Sequence, residues 1–208
     1  MFRERFRNSL THIGQALRDP EAFALSWHEQ GSPYHWSVFL ALMLTAIVGT
    51  TTYGLTMGLL QGPERMLECS ILFTIAAGIA WGLPLPGLYI LNSQSGSRLR
   101  ASTTLLAVLV TVSWGGLALI ASISVSWFFS AALPELPGIV LLVHAAVFAG
   151  VGVAMADVFT RVMARLEPAR GRRPAWVLGL VAVIGLEMFY AFALFDFAPV
   201  AALWRRLV

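Results

Sequence analysis

Lysine is absent from this sequence, cysteine occurs once, and charge of either sign is scarce. Charged residues make up 12% of the chain, against about 25% in an ordinary soluble domain. That deficit excludes a soluble globular protein with a fully solvated surface. The single cysteine, Cys69, excludes an internal disulfide and any cysteine-based metal site. No Gly-x-Ser-x-Gly elbow, His-Glu-x-x-His pair or glycine-rich phosphate loop occurs. No catalytic residue, metal site or cofactor is therefore assigned, and an enzyme is not expected. The arginines cluster at the ends of apolar runs, a pattern of membrane topology and not of a nucleic-acid-binding face. The N-terminal residues are charged and interrupted by Asp19-Pro20, so no cleavable signal peptide is expected.

What the sequence has in quantity is apolar length. Hydrophobic residues reach 58% and the mean hydropathy is +0.75. At about 20 residues per crossing, five runs are long enough to span a bilayer. They are 36–60, 70–91, 101–130, 139–159 and 175–195, and they predict an all-α polytopic membrane helix bundle. The third run contains Gly115-Gly116, but splitting it leaves pieces too short to span, so one helix is predicted. Residues 1–35 read as a cytoplasmic amphipathic segment. Phe2, Phe6, Leu10, Ile13 and Leu17 form one helical stripe suited to a membrane interface or to a partner protein. Asp19-Pro20-Glu21 then restarts a helix, with Asp as cap and Pro at the first helical position.

Orientation follows from the arginines. With five spans, eleven of the fourteen fall on the side of the N-terminus, including Arg98, Arg100 and the connector from Arg161 to Arg173. The positive-inside rule then places the N-terminus in the cytoplasm and the C-terminus outside. The expected location is a bacterial inner membrane, with residues 196–208 along the outer interface.

Four features inside the runs invite a function. Gly82, Pro84, Pro86 and Gly87 crowd the second span and remove backbone donors, which predicts a break or a kink there. A break exposes carbonyls to a substrate; a kink only shapes the bundle. Gly54 with Gly58, Gly78 with Gly82, and Ala146 with Gly150 have the four-residue spacing that lets membrane helices approach closely. Hydroxyls at Thr45, Thr50, Thr51, Thr52 and Thr56, and at Ser113, Ser122, Ser124 and Ser126, suit packing or a wet groove. The last feature is a pair, His144 and Glu187, in consecutive antiparallel spans. Counted from the outer ends of their runs, they lie about 7 Å and 12 Å deep, close enough in level to hydrogen-bond. Such a pair is either a proton-coupled or ligand site, or a lock between two helices. Asp157 is read as the i,i+4 salt-bridge partner of Arg161, and His12, His28 and His35 as surface residues.

The layout of a cytoplasmic lead-in and five closely spaced spans resembles the Yip-domain family and its bacterial relatives. Two segments carry the resemblance: Leu17-Arg18-Asp19-Pro20-Glu21-Ala22-Phe23 before the first span, and Gly96-Ser97-Arg98-Leu99-Arg100-Ala101-Ser102 before the third. The third span departs from it, with Ser113-Trp114-Gly115-Gly116 where members often carry a tyrosine and a proline. The resemblance implies a non-catalytic protein that organises membranes or recruits partners, and it carries over no functional residue. The expected function is a membrane scaffold or accessory subunit, with the lipid bilayer and a membrane-protein partner or second copy as its contacts and no nucleic acid. The rival is a transporter or channel component using the second span and the His144/Glu187 pair. A membrane enzyme acting on lipid is a third, weaker class.

Overall fold

The computed structural model describes residues 14–29, 36–94, 96–168 and 175–194, and among these there is no strand. Residues 14–18 are helical and lead into α1 (Pro20–Glu29). There follow α2 (Trp36–Met57), a 3-10 turn (Leu59–Gln61), α3 (Pro63–Gly82), α4 (Pro84–Gln94), α5 (Ala101–Ala132), α6 (Pro137–Leu166) and α7 (Ala175–Ala191). Among the described residues, four helices are long and apolar enough to cross a membrane: Trp36–Met57, the combined Pro63–Ile90, Ala101–Ala132 and Pro137–Leu166. The chain is thus a multi-pass helical membrane protein. The apolar part of α7, Leu178–Ala191, is shorter than these. The N-terminal stripe Phe2, Phe6, Leu10 and Ile13, together with His12, His35 and the tail 196–208, lies outside the described residues.

Helix ends differ from the apolar runs for a physical reason. Hydropathy marks the part that touches hydrocarbon, whereas backbone hydrogen bonding continues into the charged flanks. So α3 begins at Pro63 and includes Arg65 and Glu68, and α6 runs from Pro137 to Leu166 through Arg161 and Arg165. Helix α7 stops earlier than the run that predicted it. Its end is a Schellman motif: Leu194 N–H bonds to Phe189 O, and Ala193 N–H bonds to Tyr190 O. Ala193 takes the left-handed φ of 48° that this motif requires. Arg65 donates to Ala193 O at 2.6 Å, placing a cation at the negative end of the helix dipole.

Helix α2 packs on both α5 and α3. At the α2–α5 crossing Gly49 faces Gly116, and a Cβ on Gly49 would collide with the backbone of Gly116. Serine and threonine close the same seams. Ser113 Oγ lies within hydrogen-bond range of Leu42 O on α2 and of Leu109 O on its own helix. Ser70 donates to Thr51 O at 2.9 Å, and the hydroxyls of Thr51 and Thr74 meet at 3.1 Å. Of the four-spaced small pairs, Gly54 and Gly58 sit at such a contact, with a Cβ on Gly54 reaching 2.6 Å from Ser70 Cα. Gly78, Gly82 and Gly150 have open space where a Cβ would stand.

At the opposite end of the bundle, α1 is a packed element. Asp19 Oδ1 accepts from Ala22 N–H at 3.0 Å, and Pro20 starts the helix. Phe23, Ala24 and Trp27 are buried, and Trp27 meets Phe39 edge-on at 5.1 Å. Burying these two large aromatics holds α1 against the bundle by about 2–3 kcal/mol each. Arg161 links the two elements, bonding Glu21 Oε1 at 2.9 Å and Asp157 Oδ2 at 3.0 Å. Ala24, Leu88, Leu99 and Leu166 share one cluster, so α1, the 96–100 loop and the end of α6 gather at the same end.

Candidate functional site

Tyr53, Ser126 and His144 form the most polar part of the bundle interior. Tyr53 comes from α2, Ser126 from α5 and His144 from α6. The phenol oxygen of Tyr53 lies 2.9 Å from Ser126 Oγ and 2.9 Å from His144 Nδ1. A phenol has one hydrogen, so it donates to one of these partners and accepts from the other. All three side chains are buried, with Tyr53 at 0% and His144 at 4% exposure. His144 Nε2 and Ser130 Oγ, also buried, have no partner among the described residues. Helix α6 starts at Pro137, so His144 lies about 10 Å from its N-terminal end at 1.5 Å per residue.

Aromatic rings seal this network. Phe148 stands edge-on to Tyr53 at 5.3 Å and packs on Phe73 at 5.0 Å and Phe189 at 5.2 Å. Phe73 and Phe148 both lie beside Tyr53, and Leu119, Leu194 and Cys69 complete the cluster. Rings around a hydrogen-bonded phenol and imidazole keep lipid and water away from them. Through the Tyr53 hydroxyl the network ties α2 to α5 and α6, while His144 Nε2 is left without a partner among the described residues.

The pairing expected of His144 and Glu187 does not occur. His144 turns to Tyr53, whereas Glu187 is exposed and has no partner among the described residues. The reason is packing order: α7 rests chiefly on α3, and touches α4 and its chain neighbour α6 only lightly. The register of α7 on α3 is readable from its contacts. Phe189 meets Phe73 at 5.8 Å, and a Cβ on Gly185 would lie 3.8 Å from Ala80 Cβ. Leu194 joins Cys69 in one cluster. Antiparallel interpolation sets Glu187 level with Ala76. Glu187 lies four residues, about 6 Å, before the end of α7 at Ala191, on the side of α7 turned away from the bundle.

Leu83 keeps helical backbone (φ −64°, ψ −42°) and its N–H still bonds to Ile79 O at 2.9 Å. Gly82, Pro84, Pro86 and Gly87 thus mark a one-residue interruption between α3 and α4, inside a single 28-residue apolar segment. The hydroxyls of Thr45, Thr50, Thr52, Thr56, Ser122 and Ser124 bond to carbonyls of their own helix. Asp157 and Arg161 form their i,i+4 pair, to which Glu21 is added from a distance in sequence that no local spacing reveals. His28 is half-buried, and its Nδ1 has no partner among the described residues.

Tyr53 is the residue that sequence reasoning missed. Its signal was present: a tyrosine inside an apolar run, away from the aromatic belt, needs a buried partner for its hydroxyl. Among the described residues, no three His, Cys, Asp or Glu side chains group as a metal site. Comparison with protein-family models, curated proteins and solved structures finds no match to this chain.

Proposed function

We propose that the protein is a non-catalytic accessory or scaffold subunit of a membrane complex, assembled through its helix faces. One observation carries this reading. The interior polar groups of the bundle bond chiefly to one another or to backbone, while a carboxylate within the apolar helix α7, Glu187, faces outward. A charge in hydrocarbon is costly unless it is paired or solvated, so an outward Glu187 calls for a second protein at that face. A transport site would reverse the arrangement, with the carboxylate lining an interior path.

The protein takes five spans in this reading, with α7 as the fifth, in a bacterial inner membrane. The N-terminus is cytoplasmic and the C-terminus outside, following the arginine distribution. Gathering of Arg98, Arg100, Arg161 and Arg165 at the α1 end supports that side as cytoplasmic. The membrane-organising role implied by the Yip-domain resemblance agrees with this function.

The test is the mass of the particle extracted from its own membranes in a mild detergent. A stoichiometric complex with another membrane protein is the expected result. Purified protein that alone carries a pH-dependent flux in liposomes, abolished by His144→Ala, would overturn the reading in favour of transport. Labelling of a C-terminal tag from the cytoplasmic side would overturn the five-span topology.

A further inference from the structure

The hydrogen bonds at Tyr53 run in one direction, and that direction decides what their far end requires. Ser113, Ser122 and Ser124 on α5 each bond to a carbonyl of their own helix. Ser126 does not, and among the described residues its partner is the Tyr53 hydroxyl. A buried hydroxyl hydrogen needs an acceptor, so Ser126 donates to Tyr53 Oη. Tyr53 then gives its own hydrogen to His144 Nδ1, 2.9 Å away. An imidazole that accepts at Nδ1 carries its hydrogen on Nε2. The opposite order would strand both the Ser126 hydrogen and the Nε2 lone pair. His144 Nε2–H is thus a buried donor with no acceptor among the described residues.

A second unpartnered group lies one turn along α5. Ser130 is 2% exposed, and its Oγ has no partner among the described residues. It follows Ser126 by four residues, on the same face of the helix and about 6 Å nearer the connection to α6. Ser126 and His144 reach one phenol oxygen, so they stand at one level. Helix α6 returns antiparallel after residues 133–136, and the turn before His144, with buried Gly138 and Val140, comes level with Ser130. A buried donor and a buried hydroxyl without partners are costly, and an enclosed water that bonds to about three such groups is the usual remedy. We propose that His144 Nε2 and Ser130 Oγ hold a single water molecule buried between α5 and α6. The water accepts from Nε2–H and shares a hydrogen bond with the Ser130 hydroxyl. Rings beside Tyr53 keep out bulk solvent, so this molecule is enclosed when the helices pack. It closes a circuit from Ser126 through Tyr53 and His144 back to Ser130, so α5 and α6 are joined on both sides of the imidazole.

The experiment is magic-angle-spinning NMR of the full chain in lipid bilayers with nitrogen-15-labelled histidine. His144 is assigned through its contact with the Tyr53 ring, whose centroid lies 5.6 Å away. The expected spectrum shows a protonated Nε2, an unprotonated Nδ1, and a cross-peak from Nε2–H to a water proton. A hydrogen on Nδ1, which would free Nε2 for a metal ion or another donor, overturns the proposal, and so does an Nε2–H without the water cross-peak. Unfolding in detergent gives a test of opposite signs. Ser130→Ala takes a partner from the water and should lower the unfolding temperature by about 2–4 °C. Removing a dry, unpartnered hydroxyl would instead raise it, and a rise overturns the proposal. In a chain already carrying His144→Phe, the water has lost its other holder, and the loss from Ser130→Ala should shrink by at least about half. Strictly additive losses would show that the two residues share nothing. If a variant fails to fold, the wild-type spectrum decides by itself.

Discussion

The α2–α5 seam and the outward face of α7 are built from similar residues and behave as opposites. Both combine small residues, aliphatic side chains and an isolated polar group. In the seam, Gly49 lies against Gly116, Ser113 reaches across to Leu42 O, and Tyr53 ties Ser126 to His144. On α7, Gly179 and Ala182 face open space beside a carboxylate that nothing in the described bundle holds. Hydrophobicity cannot distinguish these surfaces, because lipid and a partner helix are equally apolar. The polar groups can. In the seam they are buried and mostly bonded within the chain, whereas on α7 the carboxylate is exposed.

Filling the seam should have the largest effect. Gly49→Leu forces a side chain into the backbone of Gly116, and overpacking of this kind costs about 3 kcal/mol or more where neither backbone can retreat. Gly150→Leu is the matched control, since open space surrounds that glycine. Thermal unfolding in detergent should show a large loss for the first and almost none for the second. Equal losses would mean that the seam is no tighter than the lipid-facing surface.

Removing the phenol hydroxyl comes next. Tyr53→Phe strips His144 Nδ1 and Ser126 Oγ of a shared partner in a sealed site, at a cost of about 1–3 kcal/mol. His144→Phe in the same chain should return part of that cost, because a buried imidazole no longer needs a partner. A double-mutant cycle with coupling near zero would show that the network does not act as a unit.

The seam was only partly legible in the sequence, and the reason is geometric. Periodicity and length identify helices, so the four long spans and α1 could be read from apolar runs and the Asp19-Pro20 start. Four-residue spacing found Gly54 and Gly58 but also chose Gly78, Gly82 and Gly150, which touch nothing close. Gly49 and Gly116, the closest pair, have no mutual spacing because they lie on different helices. His144 and Glu187 were correctly seen as polar residues within apolar runs. Their pairing failed because similar depth says nothing about direction around a helix, and because α7 packs on α3. An alternating assumption about neighbours replaced the information that only tertiary packing holds.

The end of α7 offers a smaller test. Ala193 occupies the left-handed position of a Schellman motif, where glycine is preferred. Ala193→Gly should stabilise the protein by about 0.5–1 kcal/mol, read as a raised unfolding temperature in detergent. The gain tests whether α7 is docked on α3 in the native state. If α7 were free of the bundle, its cap would not couple to global unfolding, and the temperature would not move.

Glu187→Leu should have the smallest effect on the isolated chain and the most informative one. Exposed positions that make no contact usually change stability by less than about 0.5 kcal/mol, and the detergent-purified variant should unfold with the wild type. A loss comparable to that of Tyr53→Phe would mean that Glu187 already holds a partner within its own chain, and the contrast between the two surfaces would fail. In the native membrane the outcome should differ. There the substitution leaves the apolar face of α7 intact and removes the charge alone, so a partner held only by packing would remain bound. Neutrality in detergent together with loss of the complex in the membrane is the combination expected of an interface completed by another protein.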